Sequence, residues 1–341
     1  MLNMEPTTVS YDRAIFHRRA GVSPGDELVV EYVGLEPDHE FHMGGSVFHT
    51  LPRPAGERLC RVAAVNDLHF GETSAGLMGK EVAGDVVTRR PGEAPHPILM
   101  NSSAIHEIKQ ISPAAVVVKG DITDTAQDVE FKAFENHYGA SFNGRLLAVR
   151  GNHESFYGCT RYSDDLWVEL PGIALAVLDT CVEGADGGNL TSSQLDWLMS
   201  HLESATVPVL IFGHHPPYLP GYGDNPGQTL DVASSEALVD ACTSMPNVLS
   251  YSAGHSHRTR SRTWSGVVYS QVGCVKDFPG LWTEFEVFEG GVVQLVHRIR
   301  NRDAVAWSDS CRNLYQRIGI EYETYALGRL ADRCTVLKPR L

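Results

Sequence analysis

Five short stretches of this sequence place Asp, Asn and His just beyond apolar runs: Asp67-Leu68-His69, Gly120-Asp121, Gly151-Asn152-His153-Glu154, Gly213-His214-His215 and Gly254-His255-Ser256-His257. Carboxylate, amide and imidazole donors with no thiolate among them suit a divalent or trivalent cation such as Mn, Fe, Co or Zn. Asp67 and His69 stand at i and i+2, as do His255 and His257. In extended chain such pairs point the same way, so each can bite one centre. The glycines remove a side chain where the backbone must turn sharply. The donors outnumber what one four-coordinate site takes up. Two ions sharing a bridging carboxylate would use them all, and Fe, Mn and Zn all fit the donor types. Isolated histidines such as His39, His106 and His201 read as solvent-facing or structurally hydrogen-bonded groups.

The apolar runs have the length of buried strands: 60–65, 114–118, 145–149, 173–179, 207–212, 247–253 and 266–272. Helical patterns lie between several of them, at about 98–110, 127–138, 191–204 and 231–244; Thr191 opens the third as the N-cap of a capping box. The stretch 282–299 reads as a hairpin turning at Glu289-Gly290-Gly291. This alternation predicts an α/β fold. Ligands in such sheets gather at the carboxyl ends of strands, so the polar turns are expected to converge. Residues 1–58 read as a β-rich module, with strands at 26–35 and 40–51, too short to bury a core of its own. Residues 59–299 form the main body, and 300–341 a tail with one helix, at about 310–330, packing on it. The loops 72–95, 155–165, 182–190 and 217–229 are expected to shape the pocket.

A formal net charge of −14 argues against a surface built to grip a nucleic-acid polymer. A small anionic ligand then needs a local positive charge, which a metal centre supplies. The seven cysteines are scattered without C-x-x-C spacing, which predicts no disulfide framework and a reducing compartment. The opening residues lack a basic stretch followed by an apolar one. No run reaches the ~18–20 apolar residues of a membrane span. The expectation is a cytoplasmic protein with no membrane partner, and a homodimer is left open.

In their order, "DLH", "GDITD", "GNHE", "GHHP" and "GHSH" resemble the calcineurin-like metallophosphoesterase superfamily over residues 62–290, and within it most the class III cyclic-nucleotide phosphodiesterases. The resemblance implies a four-layer α/β/β/α sandwich. It also implies a dinuclear centre in which Asp67, His69 and His257 hold one ion, Asn152, His214 and His255 hold the other, and Asp121 bridges. The pattern departs at Asn66, where Gly or Ser is common, and at Arg150, where Pro is common. "RGNHE" resembles the protein serine/threonine phosphatases, whose Arg at this place contacts phosphate, so Arg150 becomes a candidate catalytic residue. The G-D-x-H-G and G-D-x-V-D-R-G elements of that family are missing.

Two metal ions roughly 3.5–4 Å apart acidify a shared water and clamp phosphoryl oxygens. The chemistry expected is in-line attack of a metal hydroxide on phosphorus. His153, beside Asn152 but with no metal assigned to it, is expected to protonate the leaving group. Asp124 would hold its ring as a cation. His215 is expected at the edge of the substrate site, orienting ligands. Tyr218 and Tyr222 are expected to stack on a base or cap the pocket. The function expected is a phosphodiesterase on small phosphodiesters, with 3′,5′-cyclic nucleotides first. The alternative is a phosphomonoesterase or pyrophosphatase acting on a nucleotide or sugar phosphate. The charge of −14 disfavours a nuclease, and the full set of ligands disfavours a non-catalytic scaffold.

Overall fold

A computed structural model describes residues 4–18, 26–78, 81–219 and 226–340. Two six-stranded sheets face each other. The first runs, in spatial order, Leu146–Val149, Ala115–Lys119, Arg58–Val65, Leu281–Phe288, Gly291–Arg298 and Cys334–Leu337. Its first three strands are parallel and the others join antiparallel. The second runs Leu166–Leu170, Ile173–Leu178, Val209–Gly213, Val248–Ala253, Val267–Gln271 and Arg260–Trp264, with four parallel strands between antiparallel edges.

The central strands read as unbroken apolar runs because both of their faces are covered. Val62, Ala64 and Val117 point inward to meet Leu175, Val177, Leu210 and Phe212 from the facing sheet. Their neighbours Ala63, Val65, Val116 and Val118 point outward onto helices His96–Gln110 and Asp128–Phe134, through Met100, Ala104, Ile108, Phe131 and Phe134. On the other side Ala174, Ala176 and Ile211 meet Leu198, Leu202, Leu238 and Cys242 of Ser192–Ser204 and Val232–Ser244. The result is the four-layer α/β sandwich. Thr191 caps its helix as expected, accepting from the Gln194 amide at 3.2 Å. The seven cysteines are all free. No helix among the described residues is long and apolar enough to cross a membrane.

Near the N-terminus, Met4–Val9, Arg13–Arg18 and Val29–Val33 form an antiparallel sheet, and 40–51 holds a hairpin, Glu40–Met43 with Ser46–His49, instead of one strand. This sheet leans on the body: Thr8 Oγ1 donates to the Val296 carbonyl at 2.8 Å, and the Arg333 guanidinium donates to the Thr7 carbonyl at 2.7 Å.

The tail differs from the sequence expectation of a single helix over 310–330. It contains helices Arg302–Ser310, Tyr322–Leu327 and Leu330–Arg333, then the edge strand Cys334–Leu337. Asn301 starts the first helix early by accepting from the Asp303 and Ala304 amides at 3.0 and 3.2 Å. Gly328, at φ +63, ends the second in a conformation that suits glycine. Trp307, Leu314, Tyr322 and Leu327 are buried in the same cluster as helix His96–Gln110. The tail is thus part of the core.

Candidate metal centre

Parallel strands finish on one side of the molecule, and five of their ends meet there. Arg58–Val65, Ala115–Lys119 and Leu146–Val149 arrive from one sheet, Val209–Gly213 and Val248–Ala253 from the other. Beyond the first two, the loops keep pairing: the amides of Asp67, His69 and Phe70 donate to the carbonyls of Gly120, Asp121 and Ile122 at 3.1, 3.0 and 3.0 Å.

The donors expected from sequence come together. Asn152 Oδ1 lies 2.9 Å from His214 Nε2 and 2.9 Å from His255 Nδ1. Asp121 turns Oδ1 to His214 Nε2 at 3.4 Å and Oδ2 to His69 Nε2 at 3.5 Å. His257 Nε2 is 3.7 Å from Asp67 Oδ1, and Asp67, His69 and His257 offer donor atoms all within 4.8 Å of one another. Donor bonds of about 2.1 Å to one ion put neighbouring donor atoms roughly 3.0–3.4 Å apart. The separations therefore have nearly the size of edges of coordination polyhedra. Both ring nitrogens of His69 are buried without a hydrogen-bond partner. A buried imidazole left so loses free energy unless something supplies what the protein does not, and a cation fits.

The backbone here is strained. Asp67, His69, Asp121, His255 and His257 have φ of +54°, +46°, +47°, +64° and +51°. The two i, i+2 pairs are therefore not extended, as the alternation argument supposed. They are left-handed turns that happen to aim both side chains inward. Such residues cost about 1–3 kcal/mol each and persist only where the surroundings over-determine them. Gly120 shows why the turn is tight: a Cβ there would lie 2.4 Å from His214 Nδ1. That nitrogen instead donates to the Lys119 carbonyl at 2.8 Å, leaving Nε2 free to ligate.

Burial would raise the Asp121 carboxyl, but His214, His153 and His69 hold it well below the usual range. Burial would lower His214, yet Asp121 and Asp67 bring it to about 9. Burial dominates at His69 and His255 and keeps both rings neutral at ordinary pH, the state in which imidazole binds metal.

Four residues that brace the donors were not read as such from sequence. Asn66 is buried; its amide donates to Asp67 Oδ2 and, at 3.0 Å, to the Val272 carbonyl. A Gly or Ser could not make both bonds. Asp186 Oδ1 accepts from Asn152 Nδ2 at 3.4 Å, which turns Asn152 Oδ1 toward the histidines. Glu72 and Lys276 form a buried ion pair beside His69, with Nζ 2.6 and 2.7 Å from the two carboxylate oxygens. Only the oddity of Asn66 before D-x-H was a signal. Glu154, two residues after Asn152, is fully buried and accepts from the Gly151 and Thr123 amides, both at 2.7 Å, pinning two of the loops together.

The other expected site residues divide. His153 faces the cavity, its ring 4.4 Å from that of His69. Burial lowers its pKa, but Asp121, the Asp124 carbonyl and the Asp124 carboxylate outweigh that and raise it. Its Nδ1 donates to the backbone carbonyl of Asp124 at 2.8 Å, while the Asp124 carboxylate is 3.8 Å away. The hold on the ring is thus mainly through the peptide group. Arg150 departs from expectation: Nε is 2.9 Å from Asp179 Oδ2, a second nitrogen donates to the Cys159 carbonyl at 2.8 Å, and the side chain does not line the cavity. His215 is fully buried between Thr180 Oγ1 at 2.8 Å and the Asp186 carbonyl at 3.0 Å, with its ring 4.6 Å from His255. Held neutral by burial at a pKa of about 3, it backs the donor cluster and does not reach the cavity. Tyr218 is half-buried and also stands outside the cavity lining; Tyr222 lies outside the described residues.

His69, Asp121, Asn152, His255 and His257 line a cavity of about 750 Å³. Its described walls include Glu72, Leu77, Asp124, Phe156, Tyr157, Lys276 and, from the tail, Tyr315, Ile320 and Tyr325.

Comparison with known proteins places the chain in a family. The chain is 27% identical over 168 residues to the "Probable glycerophosphodiester phosphodiesterase" of Arcobacter nitrofigilis, covering 46% of this chain and 61% of that one. It is 26% identical over 175 residues to a cAMP/cGMP dual specificity phosphodiesterase of Mycobacterium tuberculosis, covering 47% and 54%. The chain thus spans little more than half the length of these relatives. A solved dimetal phosphatase from Danio rerio shares the fold, with a TM-score of 0.59 at 18% identity over 72% of this chain and 98% of the other. The calcineurin-like phosphoesterase family model matches residues 60–259. A match over more than half of the chain, carried on this fold, means that the chain belongs to the calcineurin-like phosphoesterase family.

Proposed function

We propose that the protein is a metal-dependent phosphodiesterase acting on small phosphodiesters, with 3′,5′-cyclic nucleotides as the first candidates. The observation that carries this reading is the position of Asp121, whose two oxygens face two groups of donors. Asp67, His69 and His257 would hold one ion, Asn152, His214 and His255 the other, and Asp121 both. Fe, Mn and Zn all suit these donors. When bound, such a pair supplies positive charge for the phosphoryl oxygens and a water acidified toward neutrality. His153 is placed to donate a proton to the leaving alcohol: Nδ1 is engaged by the Asp124 carbonyl, so Nε2 is the nitrogen left to act. Asn66, Asp186 and His215 keep the donors oriented.

Pyrophosphates are disfavoured by the charges of the cavity, and diesters are favoured over monoesters by the likeness to proteins named as glycerophosphodiester and cAMP/cGMP phosphodiesterases. Away from the donors its described walls carry Glu72, Asp124 and Asp186 against Lys276, which Glu72 already engages, and His153, which the Asp124 carbonyl engages. A second phosphate group finds no free positive charge there. The test is a paired assay of the manganese-loaded enzyme on mono- and diesters of the same alcohol, with cyclic AMP included. The reading expects higher kcat/KM on the diesters; a preference for the monoesters would replace it with the phosphomonoesterase alternative.

A further inference from the structure

Resting on the phosphodiesterase reading, we propose that the C-terminal segment supplies the wall that recognises the organic part of the substrate, through Tyr325 and Tyr315. The group it selects is an uncharged ring system of nucleoside size. The segment is far from the metal-binding loops in sequence, but three contacts fix it against them. The Thr259 amide, two residues beyond His257, donates to the Tyr325 carbonyl at 3.2 Å, and Thr259 Oγ1 donates to the Ala326 carbonyl at 2.5 Å. The Tyr322 hydroxyl donates to Asp277 Oδ1 at 2.9 Å, next to Lys276 of the cavity. Tyr315 packs edge-on against Tyr322 with centroids 4.7 Å apart, and the Arg258 guanidinium lies 5.1 Å from the centroid of Tyr325.

What these contacts place in the cavity is apolar and aromatic. Tyr315, Ile320 and Tyr325 of the tail share its lining with Leu77, Phe156 and Tyr157. Phe156 and Tyr157 are 44% and 61% exposed, and Phe156 lies 6.5 Å from the ring of His153. Large rings exposed beside a buried polar centre are suited to stacking on a flat partner. The volume of about 750 Å³ is in the range of small-molecule sites. The acidic surplus on the walls argues that this partner carries no further negative charge.

The test compares two diesters that share a p-nitrophenolate leaving group and a single negative charge, thymidine 5′-(p-nitrophenyl phosphate) and methyl p-nitrophenyl phosphate. The manganese-loaded enzyme comprising residues 1–341 is used, and the readout is the ratio of the two kcat/KM values. A general loss of activity cancels in that ratio. The proposal expects a ratio of roughly ten or more, the size of one ring–aromatic stack. It expects the ratio to fall several-fold in Tyr325→Ala and in the surface variant Phe156→Ala, and to be retained in Tyr325→Phe. A wild-type ratio near one, or a ratio unchanged in Tyr325→Ala, overturns it. Hydrolysis of neither diester would instead remove the phosphodiesterase reading, and this proposal with it.

Discussion

The ion pair of Lys276 with Glu72 allows a quantitative test of how the floor of the site is held. Both side chains are nearly out of solvent, 4% and 11% exposed. Nζ meets both Glu72 oxygens, and Asp277 Oδ2 is 3.6 Å away. His96 Nε2 lies 3.2 Å from Glu72 Oε2, its ring stacks on Trp307 at 4.6 Å, and Trp307 Nε1 donates to the Lys276 carbonyl at 3.2 Å. Replacing Lys276 by Met leaves the Glu72 carboxylate buried and unpaired, which costs about 3–5 kcal/mol. An unfolding entropy of ~2.1 cal/mol/K per residue over 341 residues gives about 0.7 kcal/mol/K. Lys276→Met should therefore lower Tm by roughly 4–7 °C. In the double variant Lys276→Met/Glu72→Gln the Glu72 charge is no longer stranded, while the buried Asp277 still lacks Lys276, so Tm should recover in part, by about 1–3 °C. The pH dependence follows from the shifts. Burial would raise Glu72, but Lys276 and the His96 hydrogen bond hold it well below the carboxylate range. Its contribution is present above about pH 4 and is lost as pH falls through the lowered value. Burial would lower Lys276, but Glu72 and Asp277 hold it well above the usual lysine value. Its contribution is present below about pH 10 and is lost as pH rises through the raised value. Scanning calorimetry should thus find the gap between wild type and Lys276→Met largest near pH 8–9, narrowing in acid, where the unpaired Glu72 of the variant takes up a proton, and above the raised lysine value. A Tm within about 1 °C of wild type, or a double variant that loses the sum of the single losses, would refute the reasoning.

Chelator-treated protein titrated with Mn²⁺ to about a hundred times its Kd should gain ~2.7 kcal/mol, or roughly 4 °C in Tm, and Asp121→Ala should gain nothing. Asn66→Ala should keep the circular dichroism of the wild type while weakening metal affinity by about 10–100-fold in equilibrium dialysis. His153→Ala should slow alkyl diesters by about 10²–10⁴-fold and p-nitrophenyl esters far less; equal losses on both would remove its proton-donating role.

The layers of the fold were legible because they follow from two-sided burial. Strands such as Ala115–Lys119 and Val209–Gly213 have no polar face to break the run. The donors were legible because a hydrophobic strand that ends in Asp, Asn or His breaks its own pattern. What remained hidden was whatever depends on distant pairing. Strand Cys334–Leu337 completes the first sheet only by pairing with Gly291–Arg298, and four residues carry too little alternation to announce it. The tyrosines of the cavity were sought in the loop after Gly213-His214-His215, because that loop is rich in Pro and Gly. Tyr218 stands outside the described lining, and Tyr315, Tyr322 and Tyr325 join it from a segment about 100 residues further along, which nothing local connects to the site.

The i, i+2 donor pairs show where a right answer had a wrong reason. Extended chain would have aimed Asp67 with His69, and His255 with His257, but all four are left-handed. In that conformation each depends on its surroundings: the pairing of the 67–70 loop with Gly120–Ile122, the amide of Asn66 on Asp67, and the His255 amide on Asp67 Oδ1 at 3.2 Å. The strain and the donor geometry are therefore one property, stored by the same contacts. Loosening the loops to relieve the backbone would also scatter the donors. The bracing side chains, Asn66 above all, should therefore weigh on metal affinity as much as on stability when replaced, and sequence patterns that record only the donors pass over them.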